Sequence, residues 1–204
     1  MGLSNENYWI GPGVHSSLAM SSNAPGFNNI FIRSLKDVKI FKMRFNFLYF
    51  FSELKEDKSS ESFYYTNLFS SISIGKSPII NIGINRSFIS GRVQESPISR
   101  SQAAMLVFNP LIRTNDHWDQ MLVGYVNMMF PKAKTNFYVE LGTDDSRANM
   151  TDLKAHWDHA LGMIIGFKKY NLFNNNKFFI SAEYMSTKNM YTLKFYRGNR
   201  SSPN

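Results

Sequence analysis

From Phe41 to Phe51 every odd position is aromatic or apolar: Phe41, Met43, Phe45, Phe47, Tyr49 and Phe51. Lys42, Arg44 and Asn46 fall between them, followed by Leu48 and Phe50. Side chains alternate faces along a strand, so a period of two predicts a β-strand with one greasy and one wetter face. A helix would mix the cations among the rings. The pattern recurs along the chain. Ile80, Ile82 and Ile84 alternate with Asn81, Gly83 and Asn85; Phe137, Val139 and Leu141 with Asn136, Tyr138 and Glu140. Met163, Ile165 and Phe167 oppose Gly162, Ile164 and Gly166, and Phe178, Ile180, Ala182 and Tyr184 oppose Phe179, Ser181 and Glu183. Residues 63–74 and 120–130 are strand-like but apolar on both sides in places.

Turn-forming stretches separate these runs: KEDKSSES at 55–62, GKSP at 75–78, FPKAKT at 130–135 and NLFNNNK at 171–177. The last two are short enough for tight hairpins. Residues 143–159 break the rhythm. There Asn149 or Thr151 caps a predicted short helical insertion near 149–159 that carries Leu153, His156 and Trp157. The predicted fold is all-β and antiparallel. The run at 41–51 is 11 residues long, the length of a tilted membrane-crossing strand, whereas sandwich strands average about 5–6 residues. Alternation by itself leaves a transmembrane β-barrel and a soluble β domain both open.

Composition sharpens this only in places. Aromatics make up 15% of the residues, with 18 Phe and 10 Tyr, yet mean hydropathy is -0.28, as expected when apolar and polar positions interleave finely. There is no cysteine, which excludes disulfides, thiolate metal sites and a cysteine nucleophile. Net charge is +8, suited to an anionic partner, but the cations are scattered and form no basic arm, so nucleic acid is not an expected partner. No run of 18 apolar residues offers a transmembrane helix. The opening MGLSNENYW has no secretion-signal pattern, and the closing YRGNRSSPN stops in turn chemistry. Both ends are expected to be those of an internal fragment, with residues 1–204 the middle portion of a single barrel domain.

Several clusters invite chemistry. Gly11-Pro12-Gly13 lacks the spacing and the lysine of a phosphate loop and is expected to be a tight turn. Ser16-Ser17 and Ser21-Ser22 lack the nucleophile-elbow frame and are expected to bond local backbone, with Asn23 starting an Asx-type turn before Pro25. Asp144-Asp145 with His156 and His159 could bind a hard cation or serve a surface hydrolase, but an Asp pair ahead of a helix is common N-terminal chemistry. No metal and no cofactor are expected. Glu140 could pair with a lumen cation, and Lys42, Arg44, Arg86, Arg92 and Arg100 could line a basic lumen, though their scatter fits ordinary lumen solvation and loop charge equally well. Tyr8, Trp9, Trp118 and Trp157, near His15, Arg113 and His117, could stack on sugar rings and meet uronate carboxylates. The competing reading is an interfacial aromatic girdle, favoured for Trp118; for Trp9 both readings stand.

The residues from Tyr8-Trp9-Ile10-Gly11-Pro12-Gly13 through Ser16-Ser17-Leu18 to Ser21-Ser22-Asn23-Ala24-Pro25 resemble the W-G-P-G…S-L…S-N-A-P signature of the Wzi capsule-assembly family. Glu140-Leu141-Gly142-Thr143-Asp144-Asp145 with Asp152-Leu153 and His159 is similar to its E-L-G-x-D-D…D-L…H segment, and Gly166-Phe167-Lys168-Lys169 and Ser181-Ala182-Glu183-Tyr184 to its next two strands. Ile10 and Val14-His15 depart from the family's usual residues. The resemblance implies an outer-membrane β-barrel that binds or organises capsular or exported polysaccharide in a lectin-like, non-catalytic way. On that reading Tyr8, Trp9, His15, Arg44, Arg113 and Trp118 are the candidate glycan contacts. Gly11, Pro12, Gly13, Asn23, Pro25, Asp144, Asp145 and His159 are structural. The implied partners are the polysaccharide, outer-membrane lipid and capsule-export machinery. The alternative is a porin-like channel for small anionic solutes.

Overall fold

The computed structural model describes residues 1–23, 25–55, 62–90, 98–108, 119–144, 161–174 and 177–187. Among them lies one antiparallel sheet of ten strands: β1 (Gly2–Ser4), β2 (Asn29–Arg33), β3 (Val38–Ile40), β4 (Met43–Lys55), β5 (Ser62–Ile74), β6 (Ile79–Ser90), β7 (Asp119–Phe130), β8 (Thr135–Asp144), β9 (Leu161–Tyr170) and β10 (Phe179–Ser186). The order is β1-β2-β4-β5-β6-β7-β8-β9-β10, with β3 also pairing β4. From β4 onward each strand pairs with its successor, the meander that hairpin connections produce. A short helix, α1 (Arg100–Met105), precedes β7. The sheet is open in the described residues, with β1 and β10 at its edges, so the expected all-β antiparallel fold is present without barrel closure. The helix expected at 149–159 falls outside the described residues, as do Arg92, Arg113, His117, Trp118, Asp145, His156, Trp157 and His159.

The long strands occupy the alternating runs, and their registers carry the alternation from strand to strand. Because the pairings from β4 to β10 run without a slip, residues joined across strands share a face. One such row reads Met43–Ile74–Ile80–Met128–Phe137–Phe167–Ala182, and the next reads Phe45–Ile72–Ile82–Val126–Val139–Ile165–Tyr184. Between them on the opposite face lies Arg44–Ser73–Asn81–Asn127–Tyr138–Gly166–Glu183. The apolar rows stand bare: Ile82 is 49% exposed, Ile165 45% and Val126 43%. We refer to this as the open face, and to the polar one, over which the N-terminal segment folds, as the covered face.

The two ends of the sheet differ. β5 to β6 and β7 to β8 are joined by residues 75–78 and 131–134 and β9 to β10 by residues 171–178 at one end, whereas residues 56–61, 91–118 and 145–160 link strands at the other, the last two being much the longest. Phe130, Phe137 and Phe167 make ring contacts on the open face near the short-turn end. Phe51 with Tyr64 and Tyr49 with Phe108 do so towards the long-connection end. The band between is mostly aliphatic, with Phe45 and Phe47 stacked on β4 and Tyr184 on β10.

Two expectations are corrected. Phe41 does not extend β4: it sits in the β3–β4 turn at φ 54, 98% exposed. Arg86 and Arg100 do not line the covered face with Arg44. Parity places Arg86 beside Ile82 and Ile84 on the open face, where it lies over the Phe88 ring and donates to the Val107 carbonyl (3.3 Å) and Gln120 Oε1 (3.2 Å). Arg100 belongs to α1 and pairs with Glu53 at 2.9 Å. α1 starts with a capping box in which Ser99 Oγ accepts from Gln102 N–H and Gln102 Oε1 accepts from Ser99 N–H (3.0 Å). The helix and the turn after it lie on the open face, where Tyr49 and Thr66 donate to the Ala104 and Ala103 carbonyls (2.9 and 2.8 Å) and Leu106 and Val107 bury Phe88.

Candidate functional site

The covered face of β4–β10 holds the segment that runs from Tyr8 to Met20. Tyr8 enters first. Its ring stacks on Phe50 with centroids 5.0 Å apart, and its hydroxyl donates to Asn29 Oδ1 at 2.9 Å. Ile10 and Met20 form an antiparallel bridge that closes the loop. Trp9 Nε1 donates to the Gly13 carbonyl (2.9 Å), while Ser17 Oγ donates to the Ile10 carbonyl and accepts from Met20 N–H (3.4 Å). Ser17 therefore serves local backbone, as its sequence context indicates. Ile10, Ala19, Phe50 and Val123 form the dry centre of the contact, flanked by Leu18, Met20 and Met121.

The loop presents its amides to two carboxylates. Glu140, fully buried, accepts from Gly13 N–H through Oε1 and from Leu18 N–H through Oε2, each at 3.0 Å. Glu183 Oε2 accepts from Val14 N–H (2.9 Å), His15 N–H (3.3 Å) and the Tyr138 hydroxyl (2.6 Å). Backbone N–H groups in a bend make an anion-binding concavity, and here the anions are side chains of the same protein. A buried carboxylate is tolerated only when its lone pairs are met. Amides meet those of Glu140, where the sequence suggested a lumen cation.

Gly11-Pro12-Gly13 makes this clamp feasible. Gly11 has φ +133, a conformation that side chains resist, and a Cβ there would lie 2.5 Å from Glu140 Oε1. On the sheet, Gly166 stands in register between Tyr138 and Glu183. With no side chain on β9 at that point, the Tyr138 ring lies flat across the strand and reaches Glu183 on β10. Tyr125 lies in the same way over Gly83, which is in register with Ser71 on β5. Leu18 fills the space above Gly142 and Gly162.

Of the candidate glycan contacts, the structure brings three together. Tyr8, Trp9 and His15 belong to one loop, but Tyr8 is only 8% exposed and spends its ring on Phe50, whereas Trp9 is 37% exposed. His15 is exposed, with Nε2 3.2 Å from Ser181 Oγ. Arg44 shares the covered face but sits near the start of β4, towards the short-turn end. Asn23 and Pro25 are exposed beyond the loop, and Asp144 is the last residue of β8. Among the described residues, no group of three His, Asp or Glu is arranged to hold a metal. No family model matches the chain, and no curated protein or solved structure matches it either.

The anchoring role of Glu140 and Glu183 was not legible from local pattern. The available signal was parity, which puts both carboxylates on the face opposite the aliphatic rows. What they bind lies 127 and 169 residues away along the chain, at Gly13 and Val14.

Proposed function

We propose that this chain forms part of the wall of a Wzi-like outer-membrane β-barrel, which holds capsular or exported polysaccharide at the cell surface without catalysing a reaction. The observation that carries the membrane reading is the open face, where two unbroken apolar rows cross from β4 to β10 with their side chains exposed. Soluble monomers rarely expose contiguous apolar surface beyond a few hundred Å². Hydrocarbon is the solvent such a face suits, with the polar rows of the covered face turned to water inside. Aromatic contacts towards both ends of the aliphatic band fit the interfacial girdles of such barrels. Two of the connections at one end, residues 91–118 and 145–160, are longer than any at the other, in keeping with the asymmetry of outer-membrane barrels, whose long loops face outward. No described helix is long and apolar enough to cross a membrane.

The polysaccharide part of the proposal rests on the Wzi resemblance of the opening loop and of the β8–β10 segments. The clamped Tyr8–Met20 segment supports a holding role over a conducting one, because it occupies part of the covered face, the side a passage would follow. The test uses the full chain in its native membrane and after reconstitution. Deletion should release capsule from cells, the purified protein should retain polysaccharide without turnover, and planar bilayers should show no steady conductance. Anion conductance without polysaccharide retention would replace this reading by the porin-like one. Product release abolished by Asp144→Ala would replace it by a hydrolase.

A further inference from the structure

At the long-connection end of β1, β2 and β4 the open face carries a second feature. Leu3, Ile30 and Phe51 form one cross-strand row, with Leu3 opposite Ile30 and Ile30 opposite Phe51. This row floors a pocket of about 580 Å³ that Asn28, Glu53 and Arg100 help to wall. The volume lies within the range of small-molecule sites, about 300–1,000 Å³. Its floor is apolar, with the Phe51 ring backed by Tyr64 at 5.8 Å. Its wall offers a carboxamide and the Glu53–Arg100 pair, whose guanidinium remains largely exposed while the carboxylate is mostly covered. The pair is fixed from two elements: Glu53 from β4, and Arg100 from α1, itself tied to the sheet by Tyr49 and Thr66.

We infer that this pocket binds pyranose rings of an uncharged, hydroxyl-rich glycan. Sugars present an apolar C–H face and a rim of hydroxyls that donate and accept at once. Phe51 with Ile30 supplies a surface for the first. Asn28, Glu53 and Arg100 supply both donors and acceptors for the second. Since Arg100 already has a carboxylate partner, the pocket favours hydroxyl groups over a second anion. Its position beyond the aliphatic rows is at the end that carries the longest connections, on the proposed outer side and level with the Phe51–Tyr64 ring pair. The rings can come from a surface polymer or from a glycolipid of the outer leaflet. The inference deepens the polysaccharide reading and rests on it.

The experiment takes the full chain in detergent micelles over an immobilised array of neutral and uronate-containing oligosaccharides, with a parallel arm of vesicles bearing glycolipid. Arg100→Gln removes the charged wall, and Asn28→Trp fills the space from an exposed position. Lys36→Gln, in the β2–β3 turn, controls for charge. The parent should bind neutral oligosaccharides, both pocket variants should weaken binding at least tenfold with melting temperature unchanged, and Lys36→Gln should bind as the parent does. Binding in the vesicle arm alone would assign the rings to glycolipid. Parent binding that survives both pocket variants overturns this site and leaves the polysaccharide reading standing. A parent that binds no glycan in either arm overturns both, and a preference for uronates overturns the uncharged class.

Discussion

Replacing Glu140 with Gln should unlatch the N-terminal segment. Glu140 is fully buried and accepts one amide on each oxygen, from Gly13 and from Leu18, both at 3.0 Å. A carboxamide keeps one acceptor and turns an NH2 towards the other amide, so one charge-assisted bond becomes neutral and one buried N–H loses its partner. Charge-assisted bonds contribute about 1.5–3 kcal/mol and an orphaned buried donor costs about 1–3 kcal/mol, so the loop should lose about 2–4 kcal/mol of local anchoring. Hydrogen exchange reads this directly. If the Gly13 and Leu18 amides exchange by local opening, their rates should rise about 30- to 900-fold in Glu140→Gln while amides in the middle of β5 and β6 hold theirs. Glu183→Gln should instead release Val14 and His15, the amides that it holds. If Gly13 and Leu18 exchange within about threefold of the parent, their protection comes from burial under Leu18 and Met20, and the carboxylate clamp is wrong.

Gly11→Ala should strain the same loop, since φ +133 is costly for alanine and its Cβ would crowd Glu140. A loss of about 1–3 kcal/mol in denaturant unfolding checks this, and an unchanged midpoint refutes it. Gly166→Ala should push the Tyr138 ring off β9 and break its bond to Glu183, lowering the melting temperature more than Tyr138→Phe, which loses only the hydroxyl; equal or reversed effects would show that the ring does not need the bare strand. In lipid vesicles Ile82→Lys should cost about 2–4 kcal/mol and Ser73→Lys much less, because only the first puts charge on the face proposed to meet hydrocarbon. Equal costs measured by reversible unfolding would argue against a membrane on that face.

The long strands β4 to β10 and the turns between them were legible because ring and aliphatic spacing repeats over ten or so residues, enough to fix a period. Phe41 misled for the same reason. Its parity matches Met43, but a turn residue obeys no parity, and the chain bends there at positive φ. Strands β1, β2 and β3 span too few residues to show a rhythm, and they pair with β4 or with one another. The Ser99-x-x-Gln102 signature of α1 was present in the sequence, but the helix is a single short turn or two and buries little. Arg86 was readable: two residues beyond Ile84, it belongs with the aliphatic face by simple alternation. The clamp was not, because an amide donor has no side-chain signature and its partners are joined only by the folded sheet.

The loop residues that reach Glu183 and Ser181 precede them by more than 160 positions: Val14 by 169 and His15 by 166 from Ser181. Residues that come earlier in the chain are therefore seated later. Until β10 has paired with β9, Glu183 is not in place, and the Gly-Pro-Gly bend has only Glu140 to receive it. Ordering a segment across so long a closure is slow compared with zipping neighbouring hairpins. The sheet should then assemble before the Tyr8–Met20 segment is fully seated, and that segment should stay free until the β9–β10 hairpin forms.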